Sequence, residues 1–214
     1  MKASIHLLLL PFLLCSIPLT AQEPLWQWHL AVGDVELVAD LPEQVLFTTE
    51  GVIGTVSPEH PNEIHLLDGL TPISDLDARM IRYSPSHKVT TVYYASGRID
   101  LIYSDHIYNL VGISDNSNLN DKTATRIFYY KEYAFIAGHF GLMQIDLNNH
   151  QVVATAFLGK EVLDAFALDE KLYALTKEGL RSSTLSQNLQ DPASWSLISS
   201  LPEKEMIAIT ALPD

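Results

Sequence analysis

Five aspartates of this sequence could supply the pair of carboxyl groups that glycoside hydrolysis needs. Enzymes of that kind set two carboxyl groups about 5 to 9 Å apart on either side of the scissile bond. The sequence alone does not show that any two of these carboxyl groups lie at that separation. We therefore favour structural roles in turns and keep a carbohydrate-active site as an alternative. The five are Asp75, Asp77, Asp100, Asp105 and Asp164.

Seven histidines lie outside the N-terminal segment, and none forms an HxH or HxxxH pair beside a third ligand. Protein zinc sites usually draw their ligands from short, regular spacings of that kind. We therefore interpret these histidines as solvent-exposed turn residues. They are His29, His60, His65, His87, His106, His139 and His150.

The loop Asp115–Asp121, DNSNLND, resembles a calcium loop in composition because it offers several oxygen-bearing side chains. Counted from Asn116, however, position six is Asp121 where an EF-hand needs glycine, and position twelve is Ile127 where it needs glutamate. The sequence also has no G-x-S-x-G elbow, Walker phosphate loop or dinucleotide fingerprint. We therefore predict a plain polar loop, no metal, no cofactor and no catalytic residue, and we assign no binding residue.

The scaffold that holds these residues is clearest in the stretch Thr125–Phe157. It reads as four short strands rich in Ile, Val, Phe and Tyr, and the turns between them are Lys131-Glu132, His139-Phe140-Gly141 and Asn148-Asn149-His150. Gly141 stands where the chain turns back, and a positive φ costs glycine little there. The stretch therefore predicts one small antiparallel sheet.

Aromatic side chains cluster on neighbouring strands, in this stretch and in the repeat before it. Because side chains alternate along a strand, Phe128 and Tyr130 share one face while Tyr129 takes the other. We therefore predict that most of these rings pack between neighbouring sheets and do not stack on a ligand. The other rings of the group are Tyr93, Tyr94, Tyr133 and Phe135.

Other parts of the chain repeat the same layout around their own glycine. The central residues are Gly51, Gly97, Gly141 and Gly179, separated by 46, 44 and 38 residues. A repeat of that period built from four strands is typical of a β-propeller blade. We predict an all-β fold, a propeller of four-stranded antiparallel blades in an incomplete ring. Four blades are expected at about 35–68, 80–113, 125–157 and 163–200, and a fifth begins at 206.

The N-terminal segment has the three parts of a secretory signal peptide. Met1-Lys2 is basic, the apolar run Ile5–Ile17 has 13 residues, and Ala21 is a small residue at the expected cleavage site. A run of that length is shorter than the ~20 residues that span a bilayer. Cys15 is the only cysteine, and Leu14 before it does not suit lipidation. We expect a cleaved signal at 1–21, a lead-in at 22–34 and a propeller segment at 35–214, with no transmembrane segment in the mature chain.

The negative net charge of the chain argues against a nucleic-acid partner. The 214-residue chain has 13 Lys and Arg against 26 Asp and Glu, a formal net charge of −13, and 47% of its residues are hydrophobic. Nucleic acid would be repelled over most of such a surface. We therefore expect a globular exported domain with no nucleic-acid partner.

Several stretches together resemble the N-terminal β-propeller family of PorZ, from the type IX secretion system of Bacteroidetes. The resemblance lies in WQWHLAVGDVELVAD, in YYASGRIDLIYSDHIYNLVGISD, in YYKEYAFIAGHFGLMQIDLNNHQVVATAFLG, and in LYALTKEGL followed by DPASW. It implies a non-catalytic propeller that works at the cell surface, associated with the outer membrane, in the complex that attaches secreted cargo. Protein partners of that complex and a surface glycan are the implied ligands. The alternatives are a ligand-sensing periplasmic propeller of a two-component regulator and a carbohydrate-binding or carbohydrate-active propeller.

In the PorZ family the first propeller is followed by further propeller sequence and a sorting domain, so we also expect this chain to be a truncated member. Exposed blade faces at the two ends of an open ring would each present several hundred Å² of apolar surface, which favours association. The expectation is that Gln22–Asp214 alone is oligomeric, aggregated or only partly folded.

Overall fold

The computed structural model describes residues 33–50, 52–67, 73–200 and 208–210. The chain divides into two units, 1–31 and 32–214, and all the described residues belong to the second. The predicted signal peptide, most of the predicted lead-in and the turn glycine Gly51 lie outside the described residues. Within the described ranges, no helix is long and apolar enough to cross a membrane.

The described residues form four antiparallel sheets, each built from four strands consecutive in sequence. Blade 1 contains β1 (Val35–Asp40), β2 (Val45–Thr49), β3 (Val52–Ser57) and β4 (His60–Leu67). Blade 2 contains β5 (Ala78–Ser84), β6 (Val89–Tyr94), β7 (Ile99–Ile102) and β8 (Ile107–Leu110). Blade 3 contains β9 (Ala124–Tyr130), β10 (Tyr133–Gly138), β11 (Gly141–Asp146) and β12 (Gln151–Ala156). Blade 4 contains β13 (Val162–Leu168), β14 (Lys171–Thr176), β15 (Gly179–Thr184) and β16 (Ser196–Ser200), with a 3-10 turn at Pro192–Ser194 before β16.

This architecture confirms the predicted fold class, an all-β propeller with four-stranded blades. The first strand of each blade is the inner one, and contacts run from β1 to β5, from β5 to β9 and from β9 to β13. Among the described residues, no contact of similar extent joins β13 back to β1, so the ring is open there. Only residues 208–210 of the predicted fifth-blade strand Met206–Leu212 are described, and they lie outside the assigned strands.

Blade packing explains why the middle strands are buried on both faces. All six residues of β6 are buried, whereas the outer strand β12 is exposed or half-buried at every residue except Ala156. Tyr93 of β6 joins the apolar cluster shared with blade 3, while its neighbours Val92 and Tyr94 join the cluster shared with blade 1. The period of two therefore divides a single strand between two interfaces.

Each pair of successive blades encloses one of these apolar clusters. Burying an Ile, Leu or Phe side chain contributes about 1.5–3 kcal/mol, so the clusters supply most of the force that holds blade to blade. Their buried members include Leu46, Ile53 and Tyr94 between blades 1 and 2, then Tyr93, Leu101, Ile136, Met143 and Ile145 between blades 2 and 3, and Phe135, Leu142, Leu172 and Trp195 between blades 3 and 4.

Gly141 has the positive φ that the sequence predicts, at 127°, although it is the first residue of β11 and not part of the preceding turn. A Cβ atom at this position would lie 2.0 Å from the carbonyl oxygen of Ala156. Gly179 is the matching residue of blade 4, with φ at 147°, and a Cβ atom there would lie 2.3 Å from the carbonyl oxygen of Ser199. Glycine is therefore required twice at the same place, where the third strand meets the fourth.

One face of the propeller carries all the described connections between blades. It also carries the turn between the second and third strand of each blade, because that turn lies at the same end of the sheet as the start of the first strand. We call this surface the connector face. Its described residues from blade 2 onward are 73–77, 95–98, 111–123, 139–140, 157–161 and 177–178.

Candidate functional site

Asp121, His139 and Glu161 meet on the connector face. Their potential ligand atoms, one from each side chain, all lie within 4.8 Å of one another. Asp121 lies near the end of the connection from blade 2 to blade 3, His139 lies in the β10–β11 turn, and Glu161 precedes β13. Three separate connections therefore bring one imidazole and two carboxylates together, and among the described residues this is the group that has metal-ligand spacing.

The backbone fixes two of these residues relative to each other. The His139 N–H donates to the Thr123 carbonyl oxygen at 2.9 Å, and the Thr123 N–H donates to Asp121 Oδ1 at 2.9 Å. Gly138 makes this approach possible, since a Cβ there would lie 2.4 Å from Thr123 O. His139 Nδ1 and Asp121 Oδ2 are then 2.7 Å apart. The hydrogen bond from His139, with further ones from Thr123, lowers the pKa of Asp121 to about 2.

Ion pairs surround Glu161. Lys177 Nζ lies 2.5 Å from Glu161 Oε2, and Lys160 Nζ lies 2.6 Å from an oxygen of Glu178. The hydrogen bond from Lys177 holds the pKa of Glu161 below its ordinary value, so the carboxylate is ionised at neutral pH. Exposed pairs of this type contribute little to stability, because water and salt screen them. Their effect is to order the charged side chains of the connector face.

Asp100, a candidate from the sequence, is fully buried and accepts four hydrogen bonds. Oδ2 accepts from the Ser74 N–H at 2.8 Å and from the Tyr94 hydroxyl at 2.7 Å, while Oδ1 accepts from Asn109 Nδ2 at 2.8 Å and from the Ser74 hydroxyl. Burial and the nearby Asp100 carboxylate raise the pKa of Tyr94 well above its ordinary value. The carboxylate fastens the connection before β5 to three strands of blade 2, which is a structural role.

Asp164 is also engaged by its neighbours. Arg126 Nη1 lies 2.9 and 3.0 Å from the two carboxylate oxygens and donates to the Ile209 carbonyl oxygen at 3.2 Å. The Ile209 N–H donates to Asp164 Oδ2 at 2.8 Å, and the Ala165 N–H donates to Oδ1 at 2.9 Å. Asp164 therefore joins the inner strands of blades 3 and 4 to the segment 208–210.

The other candidate acids and histidines are dispersed. Asp77 forms a surface ion pair with Arg79 at 2.9 Å, Asp75 accepts the N–H of Leu76 at 2.7 Å, and Asp105 is exposed in the β7–β8 turn. His29 lies outside the described residues. His60, His65 and His106 are exposed, His87 contacts two serine hydroxyls at 3.0 and 3.1 Å, and His150 stacks on Tyr108 with ring centroids 3.6 Å apart.

The loop Asp115–Asp121 uses its oxygen atoms for its own turns. Asn116 Oδ1 accepts the N–H of Asn118 at 3.1 Å, and the Ser114 hydroxyl donates to Asp115 Oδ1 at 3.0 Å. Asp121 is the member of this loop that reaches other connections. No short motif links Asp121 to His139 and Glu161, which are 18 and 40 residues further along, so motif reading does not find this group.

The aromatic prediction is confirmed. Phe128 and Tyr130 pack against the cluster shared with blade 4, whereas Tyr129 packs against the cluster shared with blade 2. Phe128 also stacks on Phe135 with centroids 5.0 Å apart. These rings hold blades together, as the alternation along β9 predicts.

The blades and the ordered connector face define a class of protein, an all-β propeller whose loops form a polar surface on a rigid frame. The family can be stated as well. The family model of the PorZ N-terminal β-propeller domain of the type IX secretion system matches residues 45–196, and the chain belongs to this family.

Solved structures agree with this assignment. PorZ of Porphyromonas gingivalis, described as an essential bacterial surface component of the type IX secretion system, is 34% identical with a TM-score of 0.74, and the match covers 79% of this chain and 23% of that one. The chain thus corresponds to about a quarter of that protein. The extracellular domain of the putative hybrid two-component system BT4673 from B. thetaiotaomicron shares only the fold, at 14% identity and TM-score 0.60 over 83% of this chain and 23% of that one. The same holds for the designed protein Ika4, at 12% identity and TM-score 0.53 over 72% and 92%. No curated protein matches the chain.

Proposed function

We propose that this chain is an exported, non-catalytic propeller that acts in the cell-surface attachment of type IX cargo. The observation that carries the proposal is the match to the PorZ family over 45–196, together with 34% identity to a bacterial surface component of that system. Protein partners of the attachment complex are the proposed ligands, and a surface glycan is a second one. The connector face is the proposed contact surface, because loops on a rigid scaffold are the usual place for binding.

The absence of catalysis is part of the proposal. Asp100 and Asp164, the two buried acids among the candidates, accept hydrogen bonds from all sides and hold the fold together. An acid used in this way is a poor general acid or nucleophile, since both roles need the carboxyl group to face a substrate. The purified protein should therefore show no turnover on glycans, and robust glycan hydrolysis would favour the carbohydrate-active alternative.

The test of the attachment role is genetic. Deleting the intact gene in its Bacteroidetes host should leave type IX cargo unattached or unprocessed, and the wild-type gene should restore attachment. A gene carrying Gly141→Ala, which places a Cβ against Ala156 O, should fail to restore it. Gly159→Ala should succeed, because nothing lies within 4 Å of that position and its φ of 66° costs alanine only about 1–2 kcal/mol. Normal cargo display in the deletion strain would refute the proposal.

The alternative of a two-component sensor can be distinguished from the PorZ-like role by the sequence of the gene. The likeness to the BT4673 domain is one of fold and carries no function, so the alternative depends on the gene and not on the structure. Reading the genomic DNA beyond the codon for Asp214 separates the two. Further propeller sequence and a sorting domain would support the PorZ-like role, while a transmembrane helix followed by a histidine kinase would establish a sensor.

A further inference from the structure

We propose that Asp121, His139 and Glu161 form a binding site for a Zn²⁺-class divalent metal ion. The three side chains come from three different connections, and their ligand atoms lie within 4.8 Å of one another. Ligands of a tetrahedral zinc ion sit about 2.0–2.2 Å from the metal and thus about 3.3–3.5 Å from each other. A bound ion therefore requires the side chains to rotate so that the group contracts to that spacing.

The chemical types of the three ligands favour zinc over calcium. An imidazole nitrogen with two carboxylate oxygens suits zinc and its neighbours, whereas calcium takes six to eight oxygens and has little use for nitrogen. Three protein ligands leave a fourth position for water or for a group from a partner. The site differs from the calcium loop considered from the sequence, because it uses only Asp121 from that loop.

Backbone hydrogen bonds and the negative net charge favour a cation at this group, whereas one lysine opposes it. The hydrogen bonds between His139 and Thr123 and between Thr123 and Asp121 fix the approach of the first two ligands before any metal arrives. The formal charge of the whole chain, −13, also attracts cations. Lys177 opposes the metal, since its ammonium group lies 2.5 Å from Glu161 Oε2 and repels a second positive charge.

A bound ion would connect the two blade junctions that flank blade 3. Asp121 belongs to the connection between blades 2 and 3, and Glu161 to the connection between blades 3 and 4. A metal that binds the folded state raises the free energy of unfolding in proportion to the logarithm of its concentration over Kd. The melting temperature should therefore rise with added zinc.

The test is calorimetric titration of the purified chain with ZnCl₂ in metal-free buffer, with Co²⁺ absorption as a second readout. We expect one ion per chain and no comparable binding of CaCl₂. His139→Ala should weaken Zn²⁺ binding at least about tenfold, whereas His106→Ala, which removes an exposed histidine from the opposite face, should leave it unchanged. Lys177→Met should tighten binding about two- to tenfold because it removes the repelling charge.

Each result decides the matter. No zinc binding at millimolar concentration, or equal binding of zinc and calcium, would overturn the proposal. So would an affinity that His139→Ala leaves intact, because the ion would then sit elsewhere. Circular dichroism confirms that each variant is folded, and Asp121→Asn replaces His139→Ala if the latter does not fold. The metal test is independent of the attachment role, since it needs no secretion assay.

Discussion

Replacing Asp100 by Ala should cost this propeller a large part of its stability. The substitution removes the acceptor of four hydrogen bonds, which are donated by the Ser74 N–H and hydroxyl, the Tyr94 hydroxyl and the Asn109 amide. Leaving a buried donor unsatisfied costs about 1–3 kcal/mol, and water can reach the half-buried ones. We expect a total loss of about 3–5 kcal/mol, against the 5–15 kcal/mol that is typical of a whole domain.

Asp100→Asn should cost less, for a reason that the geometry supplies. Its amide oxygen can replace Oδ2, which accepts from the Ser74 N–H and the Tyr94 hydroxyl. Its NH₂ group then faces the Ser74 hydroxyl and Asn109, and a rotating hydroxyl can accept where a backbone N–H cannot. The loss is then mainly that of the charge-assisted bonds, about 1–2 kcal/mol.

The assay is equilibrium urea unfolding followed by near-UV circular dichroism, on the purified chain or, if that is not monomeric, on the chain expressed together with downstream blades. Asp105→Asn is the matched control, since Asp105 is exposed in the same blade and its substitution should stay within about 0.5 kcal/mol of wild type. The expected order of destabilisation is Asp100→Ala, then Asp100→Asn, then the control. In a domain of this size 1 kcal/mol corresponds to about 2–4 °C in Tm. An Asp100→Ala variant as stable as the control would refute the reasoning about the buried network.

The other predictions concern glycine, the inner-strand joint and export. Gly141→Ala should destabilise the protein by at least about 2 kcal/mol, because alanine is strained at a φ of 127° and its Cβ meets backbone; Gly159→Ala should cost clearly less, as urea unfolding would show. Asp164→Asn should cost about 1–3 kcal/mol by weakening the pair with Arg126, and an unchanged midpoint would contradict that role. Mass spectrometry of the exported protein should find its N-terminus within a few residues of Gln22, and a retained signal segment would refute cleavage.

The sequence by itself determined the repeating unit of this fold. Apolar and polar residues alternate with a period of two, which is typical of a strand. A glycine with positive φ recurs at or just before the start of the third strand in blades 2, 3 and 4, as Gly97, Gly141 and Gly179 show. Both patterns involve residues that are close together in the sequence, so they can be recognised without knowing the rest of the fold. The faces taken by Phe128, Tyr129 and Tyr130 followed from the same alternation.

Only the tertiary structure decided what the polar residues do. Asp100 and Asp105 look alike in the sequence, yet one is fully buried among four donors and the other is exposed. Asp121, His139 and Glu161 meet because blades 2, 3 and 4 pack side by side and their connections emerge on one face. That meeting depends on the rotation from blade to blade, which is set by the apolar clusters between sheets. No local sequence pattern encodes this rotation. For this reason the sequence predicts the four-stranded blades but not the meeting of Asp121, His139 and Glu161.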